Sequence, residues 1–210
     1  MKKMLTLSGF IILVSLINAQ DYEFGLKIGS GLSSDQSSIV NFDPILGNRV
    51  SILYQITVLN KIKIRSEAGY LKKGYFDEII LNNDLGEPIG SAEGKIIYHK
   101  IFFGPGLYFN IINTNKISPY VGVQFNMEYL IKGTNSDFDN LKNLEDIYTD
   151  WIDDQKNLSY SGILDIGVEF ISLFFVEGTV SYGLDKMPGN VKANELYIGG
   201  SVGIYLNKLF

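Results

Sequence analysis

The chain has 210 residues, with 18 Lys and Arg against 23 Asp and Glu, so its formal net charge is −5. A negative charge argues against nucleic acid as a partner, and the absence of cysteine excludes disulfides and thiolate metal sites. No apolar run after residue 20 reaches 18 residues, which excludes a helical membrane protein. The 13 Tyr, 13 Phe and 22 Gly against 5 Pro favour a barrel with aromatic girdles.

The N-terminal segment has the pattern of an export signal. Lys2 and Lys3 precede an apolar stretch over 5–17, and Ala19 is a small residue at a cleavage position. This pattern predicts a cleaved signal peptide over 1–19 and one mature domain over 20–210. About 13 apolar residues are too few to cross a ~30 Å hydrocarbon core as a helix.

Eight segments of the mature chain alternate large apolar residues with small or polar ones. Such a period of two is typical of strands that have two different faces. In the fourth segment, Phe102 and Tyr108 fall on the polar side, and the Gly-Pro-Gly sequence at 104–106 predicts a bend or bulge. The predicted strands are residues 22–33, 49–59, 62–76, 95–110, 118–131, 158–170, 174–184 and 195–210.

The connections between these strands alternate in length. Residues 34–48, 77–94, 132–157 and 185–193 are predicted as long loops, and the other three links are short. An even strand count with this alternation is typical of outer-membrane barrels. The sequence therefore predicts an all-β fold, an eight-stranded antiparallel up-and-down transmembrane β-barrel, with Phe210 as a terminal aromatic assembly signal.

The alternative is a soluble eight-stranded barrel of the lipocalin type, with its apolar side turned inward around a ligand. Large aromatic and aliphatic residues from every strand would crowd so narrow an interior, so the membrane barrel fits better. Charges enclosed in the barrel are costly unless they are matched, which predicts a network of ion pairs that fills the lumen. The same carboxylates also fit an acid–base cluster. The predicted network is Lys27, Lys63, Arg65, Glu67, Lys100, Glu128, Asp165, Glu169 and Glu177.

Short motifs along the chain resemble one family of barrels. They include FGLKIGSGLS at 24–33, AGYLKKG at 68–74, PYVG at 119–122 and VEGTVSYGL at 176–184. In their order and spacing these motifs resemble the PorT-like outer-membrane β-barrel family of Bacteroidota. The chain departs from that pattern at 103–105, where Phe-Gly-Pro replaces an aliphatic residue followed by Pro, and in its drawn-out ending over 203–210. The resemblance implies an outer-membrane barrel and no reaction, and a few members of the family are linked to protein secretion and gliding.

Few residues suit catalysis or metal binding. The only histidine, His99, has the parity that points toward lipid, and without a placed partner it predicts no triad. Calcium binding by Asp137 and Asp139 remains an alternative, although the Gly and the closing Glu of an EF-hand loop are missing. No catalytic residue, metal or cofactor is predicted.

The acidic loop over 132–157 is the predicted interaction segment. Its apolar residues recur at steps of three and four, which is typical of a short amphipathic helix that binds a partner or caps the barrel. A solvated loop that packs on its neighbours is the alternative. These apolar residues are Phe138, Leu141, Leu144, Tyr148, Trp151 and Ile152.

The sequence thus predicts a non-enzymatic protein of the cell outer membrane. Its role would be a structural or interaction component of the envelope, with an accessory function in protein secretion as one form of it. The expected partners are outer-membrane lipid, the barrel-assembly machinery during insertion and other envelope proteins, without nucleic acid. A small pore for solutes is the main alternative, and a barrel hydrolase or acyltransferase is the other.

Overall fold

The structure, a computed structural model, describes residues 22–37, 43–82, 88–112, 114, 116–136, 158–185 and 193–209. Each strand pairs antiparallel with the next one along the chain, and the last closes on the first. The predicted closed eight-stranded barrel is confirmed. Its strands are β1 (Tyr22–Ser37), β2 (Asp43–Leu59), β3 (Ile62–Asn82), β4 (Pro88–Asn110), β5 (Ile117–Ser136), β6 (Leu158–Phe170), β7 (Phe174–Gly183) and β8 (Ala193–Tyr205), with a 3-10 turn at Leu206–Lys208.

The two faces of the strands divide as their period of two predicts. In β7, exposed and buried residues alternate without exception, so Phe174 and Val176 face outward while Phe175 and Glu177 face inward. The outer surface is apolar, as Ile166 shows with 62% of its area exposed. The lipocalin-like alternative is therefore wrong for this chain, because its large apolar side chains lie outside the barrel. No helix within the described residues is long and apolar enough to cross a bilayer.

The shortest strand sets the height of the barrel wall. The ten residues of β7 extend about 33 Å at ~3.3 Å per residue. Tilted by about 40°, such a strand rises roughly 25 Å, which is the height of the apolar band of outer-membrane barrels. The wall is therefore as tall as the apolar band of outer-membrane barrels even where it is shortest.

Several predicted strand ends were wrong, most of all in two segments predicted as loops. Residues 34–37 and 43–48 belong to β1 and β2, and residues 77–82 and 88–94 belong to β3 and β4. Asn, Asp, Gly and Pro in these segments are typical of turns, but pairing with a neighbouring strand overrides that local preference. β3 and β4 form a continuous ladder up to Leu81–Gly90.

The predicted bulge at 104–106 was also wrong in position. Gly104, Pro105 and Gly106 keep an unbroken register with β3. The register of β4 and β5 instead shifts between His99 and Lys100, where β5 carries one extra residue. Pairing with β5 omits Gly104 and Pro105 without a change of register, as expected where Pro105 lacks an N–H to donate.

The three short connections lie at one end of the barrel, here called the short-turn end, and the opposite end is called the long-loop end. The link between β6 and β7 is residues 171–173, as predicted, with φ of 54° at Ile171 and 52° at Ser172. Consecutive positive φ values are what a tight hairpin turn of the primed type requires. The other short links are residues 60–61 and 111–116.

Three predictions fall on residues outside the described part of the chain. They are the export signal over 1–19, the assembly signal Phe210 and the apolar residues of the interaction segment, Phe138, Leu141, Leu144, Tyr148, Trp151 and Ile152. The first residues of that segment, 132–136, are described, and they extend β5 where a loop was predicted.

A close approach inside the wall gives a test of the fold. A Cβ atom added at Gly122 would lie 2.2 Å from Cδ1 of Tyr108, whose ring packs against this glycine from the neighbouring strand. We expect Gly122→Val to lower the free energy of unfolding by about 1–3 kcal/mol, because a buried ring must shift. Urea unfolding in lipid vesicles, followed by circular dichroism, measures the change.

Gly162→Val is the matched control, because a Cβ atom at Gly162 meets nothing within 4 Å. Equal unfolding midpoints for the two variants would contradict the inward packing of Tyr108.

Candidate functional site

The barrel interior contains buried basic and acidic side chains in nearly equal numbers. Six basic and seven acidic side chains with described positions point into it. All nine residues of the predicted network lie there, and four others join them. The basic side chains are Lys27, Arg49, Lys63, Arg65, Lys73 and Lys100, and the acidic ones are Glu23, Glu67, Glu128, Asp165, Glu169, Glu177 and Glu195.

Two carboxylates organise the central cluster, which we define as Lys27, Arg49, Arg65, Glu67 and Glu177. Nζ of Lys27 lies 2.5 Å from Glu67 and 2.7 Å from Glu177, so one ammonium bridges both. Arg49 contacts Glu67 at 2.6 Å, and Arg65 contacts Glu177 at 2.7 Å. These residues come from four strands, so the cluster ties opposite sides of the barrel together.

The guanidinium of Arg65 is the most enclosed group of this cluster, with no exposed surface. Its Nε donates to Gln55 at 2.8 Å, and its carbon atom lies 3.9 Å from the ring centre of Tyr108. The rings of Tyr120 and Phe175 flank it at 5.2 and 5.3 Å. Arginine suits this position because its flat cation can stack on aromatic faces while its N–H groups still donate in the plane.

A second group of contacts, the lower cluster, lies toward the short-turn end. Lys63 contacts Glu169 at 2.7 Å and Glu23 at 3.4 Å. The hydroxyl of Tyr205 donates to Glu169 at 2.7 Å, and Nε2 of Gln55 donates to Glu23 at 2.5 Å. Because Gln55 also accepts from Arg65, it connects the lower and central clusters.

The upper cluster, near the long-loop end, consists of Lys73, Lys100, Glu128 and Glu195. Lys73 contacts Glu128 at 2.9 Å and Glu195 at 3.2 Å, and Lys100 pairs with both carboxylates as well. The hydroxyl of Ser161 donates a further hydrogen bond to Glu128 at 2.7 Å. Two cations and two anions thus form a closed ring of four.

Asp165 differs from the other interior carboxylates. It forms no ion pair with a described residue, and its oxygens instead accept from Tyr108 at 2.6 Å and Thr179 at 2.7 Å. Two hydroxyl donors are a weaker match for a buried carboxylate than a cation. The phenol of Tyr108 therefore serves two charges, since its ring contacts Arg65 and its hydroxyl contacts Asp165.

This arrangement is suited to filling the barrel and not to the predicted alternative of acid–base catalysis. A general acid or base must reach a substrate, whereas Glu67, Glu128, Asp165 and Glu177 have at most 1% of their surface exposed. The described residues hold no group of three or more His, Asp or Glu side chains that could bind a metal ion. His99 lies on the outer face, where its Nδ1 shares a hydrogen bond with the hydroxyl of Tyr70 at 2.5 Å.

The predicted network lacked Glu23, Arg49, Lys73 and Glu195. The signal that could have found them was the alternation itself. Lys73 has the parity of Lys63, Arg65 and Glu67, and Glu195 has the parity of Tyr197. The pairing of Lys73 with Glu128 and Glu195 depends on register across distant strands, which the sequence alone does not specify.

Comparison with known proteins gives structural neighbours only. No family model and no curated protein matches the chain. Neisserial surface protein A is similar over 89% of this chain and 99% of its own, with 10% identity and a TM-score of 0.49. The outer membrane protein OprG from Pseudomonas aeruginosa gives 10% identity and a TM-score of 0.47, over 89% of this chain and 97% of its own. The attachment invasion locus protein Ail of Yersinia pestis gives 14% and 0.39, over 88% and 99%. The fold assignment rests on the strand pairing of this chain itself.

The double role of Glu177 gives a test of the network. Glu177 accepts from Lys27, Arg65 and Tyr120, all buried. We expect Glu177→Gln to lower the free energy of unfolding by about 3–5 kcal/mol, because Arg65 loses its nearest counter-charge and Lys27 keeps only Glu67 inside the barrel. Urea unfolding in lipid vesicles provides the measurement.

Lys208→Gln is the control for loss of a single charge. Lys208 lies 3.9 Å from Glu23 and its side chain is 36% exposed, so its removal should change the free energy of unfolding by less than about 1 kcal/mol. If Glu177→Gln behaved like Lys208→Gln, the central ion pairs would not stabilise the barrel.

Proposed function

We propose that this chain is a non-enzymatic outer-membrane barrel that acts as a structural or interaction component of the cell envelope. The observation that carries the proposal is the interior, where ion pairs and aromatic rings fill the axis along the described wall, from the lower cluster through the central cluster to the upper cluster. Gln55, Arg65, Asn126 and Asp165 have no exposed surface. Along this described length, the filled interior leaves no room for a substrate and no open path for a solute.

Placement in the outer membrane is supported by the outer surface. Every strand exposes large apolar side chains outward, and their band is about as tall as a hydrocarbon core. Exposed aromatic rings occur near both ends, with Tyr22 and Tyr54 stacked at the short-turn end and Phe125 and Tyr160 stacked toward the long-loop end. Such belts are expected where a barrel meets the two membrane surfaces.

A surface for a partner protein is available where β3 and β4 extend past their neighbours. β2 last pairs with β3 at Phe76, and β5 last pairs with β4 at Lys95. Within the described residues, 77–82 and 88–94 therefore pair only with each other, as a two-stranded ribbon about 23 Å long. Its unpaired edges can accept a further strand from another protein.

The composition of this ribbon indicates the charge of its partner. Residues 77–82 and 88–94 contain Asp77, Glu78 and Glu93 and no Lys, Arg or His. We infer that the ribbon, in the orientation usual for these barrels, projects from the cell and binds a basic segment. An accessory role in protein secretion, as the resemblance to PorT-like barrels implies, is one form that this interaction could take.

The filled interior predicts a closed pore. Purified protein inserted into planar bilayers should give no steady current, because charged and aromatic side chains seal the axis. A variant with Arg65→Ala, Tyr108→Ala and Glu177→Ala removes the central obstruction together with its charges and should conduct. Steady current through the wild-type protein would overturn the sealed interior and favour the alternative of a small pore.

The ribbon predicts a protein neighbour at the long-loop end. A photoreactive amino acid at position 80, within the ribbon, should form an adduct with another protein in intact cells. The same probe at Ile112, exposed at the short-turn end, and at Ile166, on the lipid-facing wall, provides the comparison. Adducts at Ile112 alone would contradict the ribbon as the interaction surface and would place that surface at the short-turn end.

A further inference from the structure

The outer wall carries an unusual row of basic side chains on three adjacent strands. Lys72 of β3 pairs directly with His99 of β4, and His99 pairs with Lys132 of β5. Lys72 and His99 belong to the outward side, since their neighbours Leu71, Tyr98 and Lys100 point inward. Lys132 is exposed and pairs with His99 after the extra residue of β5. With neighbouring strands ~4.8 Å apart, the three Cα atoms span only about 10 Å.

The row lies just above a band of residues suited to the membrane surface. Tyr70, Ile101 and Tyr129 lie outward on the side of the short-turn end, and they pair in the same order across the same strands. On β5 the exposed Ile131 lies between Tyr129 and Lys132. Each of the three is at least 36% exposed. Tyrosines followed by cations are the order of side chains expected along the membrane normal, from the acyl chains to the polar headgroups.

Among the described side chains, the row has no counter-charge on the outer surface. Lys72 and Lys132 flank His99 on the two neighbouring strands, and His99 lies within electrostatic reach of both lysines. In the strands, every carboxylate whose side chain the structure describes points into the barrel. Lys95, the one other outward cation on these strands, lies 5.0 Å from the ring centre of Phe76 and four residues farther along β4.

The chemistry of the three side chains suits a phosphate group. Two ammonium groups supply charge and several N–H donors. When the hydroxyl of Tyr70 donates to Nδ1 of His99, the remaining ring proton lies on Nε2, which can donate to an oxygen of the ligand. Such a set at the height of the headgroups matches a phosphorylated lipid.

We propose that Lys72, His99 and Lys132 bind the phosphate group of a lipid in the leaflet at the long-loop end of the barrel. This inference rests on the proposed outer-membrane placement, in which that leaflet faces outward. The occupant is a lipid and not a soluble anion, because the tyrosines beneath the row face acyl chains. The same contacts orient the barrel by holding its β3–β5 wall at a fixed depth.

Native mass spectrometry of the detergent-extracted full chain tests the proposal, with diphosphorylated lipid A as the probe. The wild-type protein should retain the lipid. Lys72→Gln with Lys132→Gln should weaken binding about 25-fold, at roughly fivefold for each lysine removed near a charged membrane surface. His99→Gln, which cannot accept the tyrosine hydrogen bond in the same geometry, should add a smaller loss.

Lys61→Gln with Lys116→Gln is the matched control, because it removes two exposed lysines at the short-turn end. This control should bind the phosphorylated lipid as the wild-type protein does, and lipid A stripped of its phosphates should bind all variants weakly. Equal binding by both double variants, or equal loss in both, would overturn the site. Displacement of the lipid by inorganic phosphate would indicate a free-anion site and overturn the lipid assignment.

The bilayer recordings separate this inference from the proposed function. A conducting wild-type barrel that still loses lipid in the Lys72 and Lys132 variant would leave the lipid site intact and refute the sealed barrel. A wild-type barrel that does not conduct, with variants that all bind lipid equally, would refute the lipid site and leave the sealed barrel intact.

Discussion

The enclosure of Arg65 is the constraint on which the interior depends. Its cation cannot leave the barrel axis or lose its charge at any ordinary pH, so the surrounding groups must meet it. Glu177 supplies the opposite charge, Gln55 accepts its Nε–H, and Tyr108, Tyr120 and Phe175 present their ring faces. These partners come from four other strands, β2, β4, β5 and β7, and their contacts therefore fix how the strands are spaced around the axis.

The same constraint explains why the barrel has charged side chains inside and apolar side chains outside, the opposite of a soluble protein. Because the interior takes nearly all of the charge on the strands, the large apolar side chains have no place except the outer wall. Lipid then supplies the apolar surroundings that a packed core supplies in water, and the closed ladder leaves no strand edge open within that wall. Glycines such as Gly122 leave room on the inner side for the rings that pack beside them.

Much of the fold could be predicted from the sequence, because the alternation of inward and outward residues in a strand does not depend on which strand it pairs with. It predicted all eight strands, the inward side of each, and the inward turn of Phe102 and Tyr108 within an otherwise apolar run. The ribbon formed by β3 and β4 was missed, since Asn, Asp and Gly in it favour turns and only pairing makes it a strand. The contacts of Lys27 with Glu177, 150 residues away, depend on closure of the whole barrel and have no local signal.

A rigid, filled barrel confines function to its rims and its outer wall. The interior ion pairs are shared among many strands, so a local change there is resisted by the whole ring of contacts. Any binding event that leaves the fold unchanged must therefore use groups that the interior does not engage. Two such features share β3 and β4: the acidic ribbon, and the basic row of Lys72, His99 and Lys132, which also includes β5. Because β3 and β4 form one continuous ladder from the wall to the ribbon, a lipid bound at the basic row would also set the height and direction in which the ribbon meets its partner.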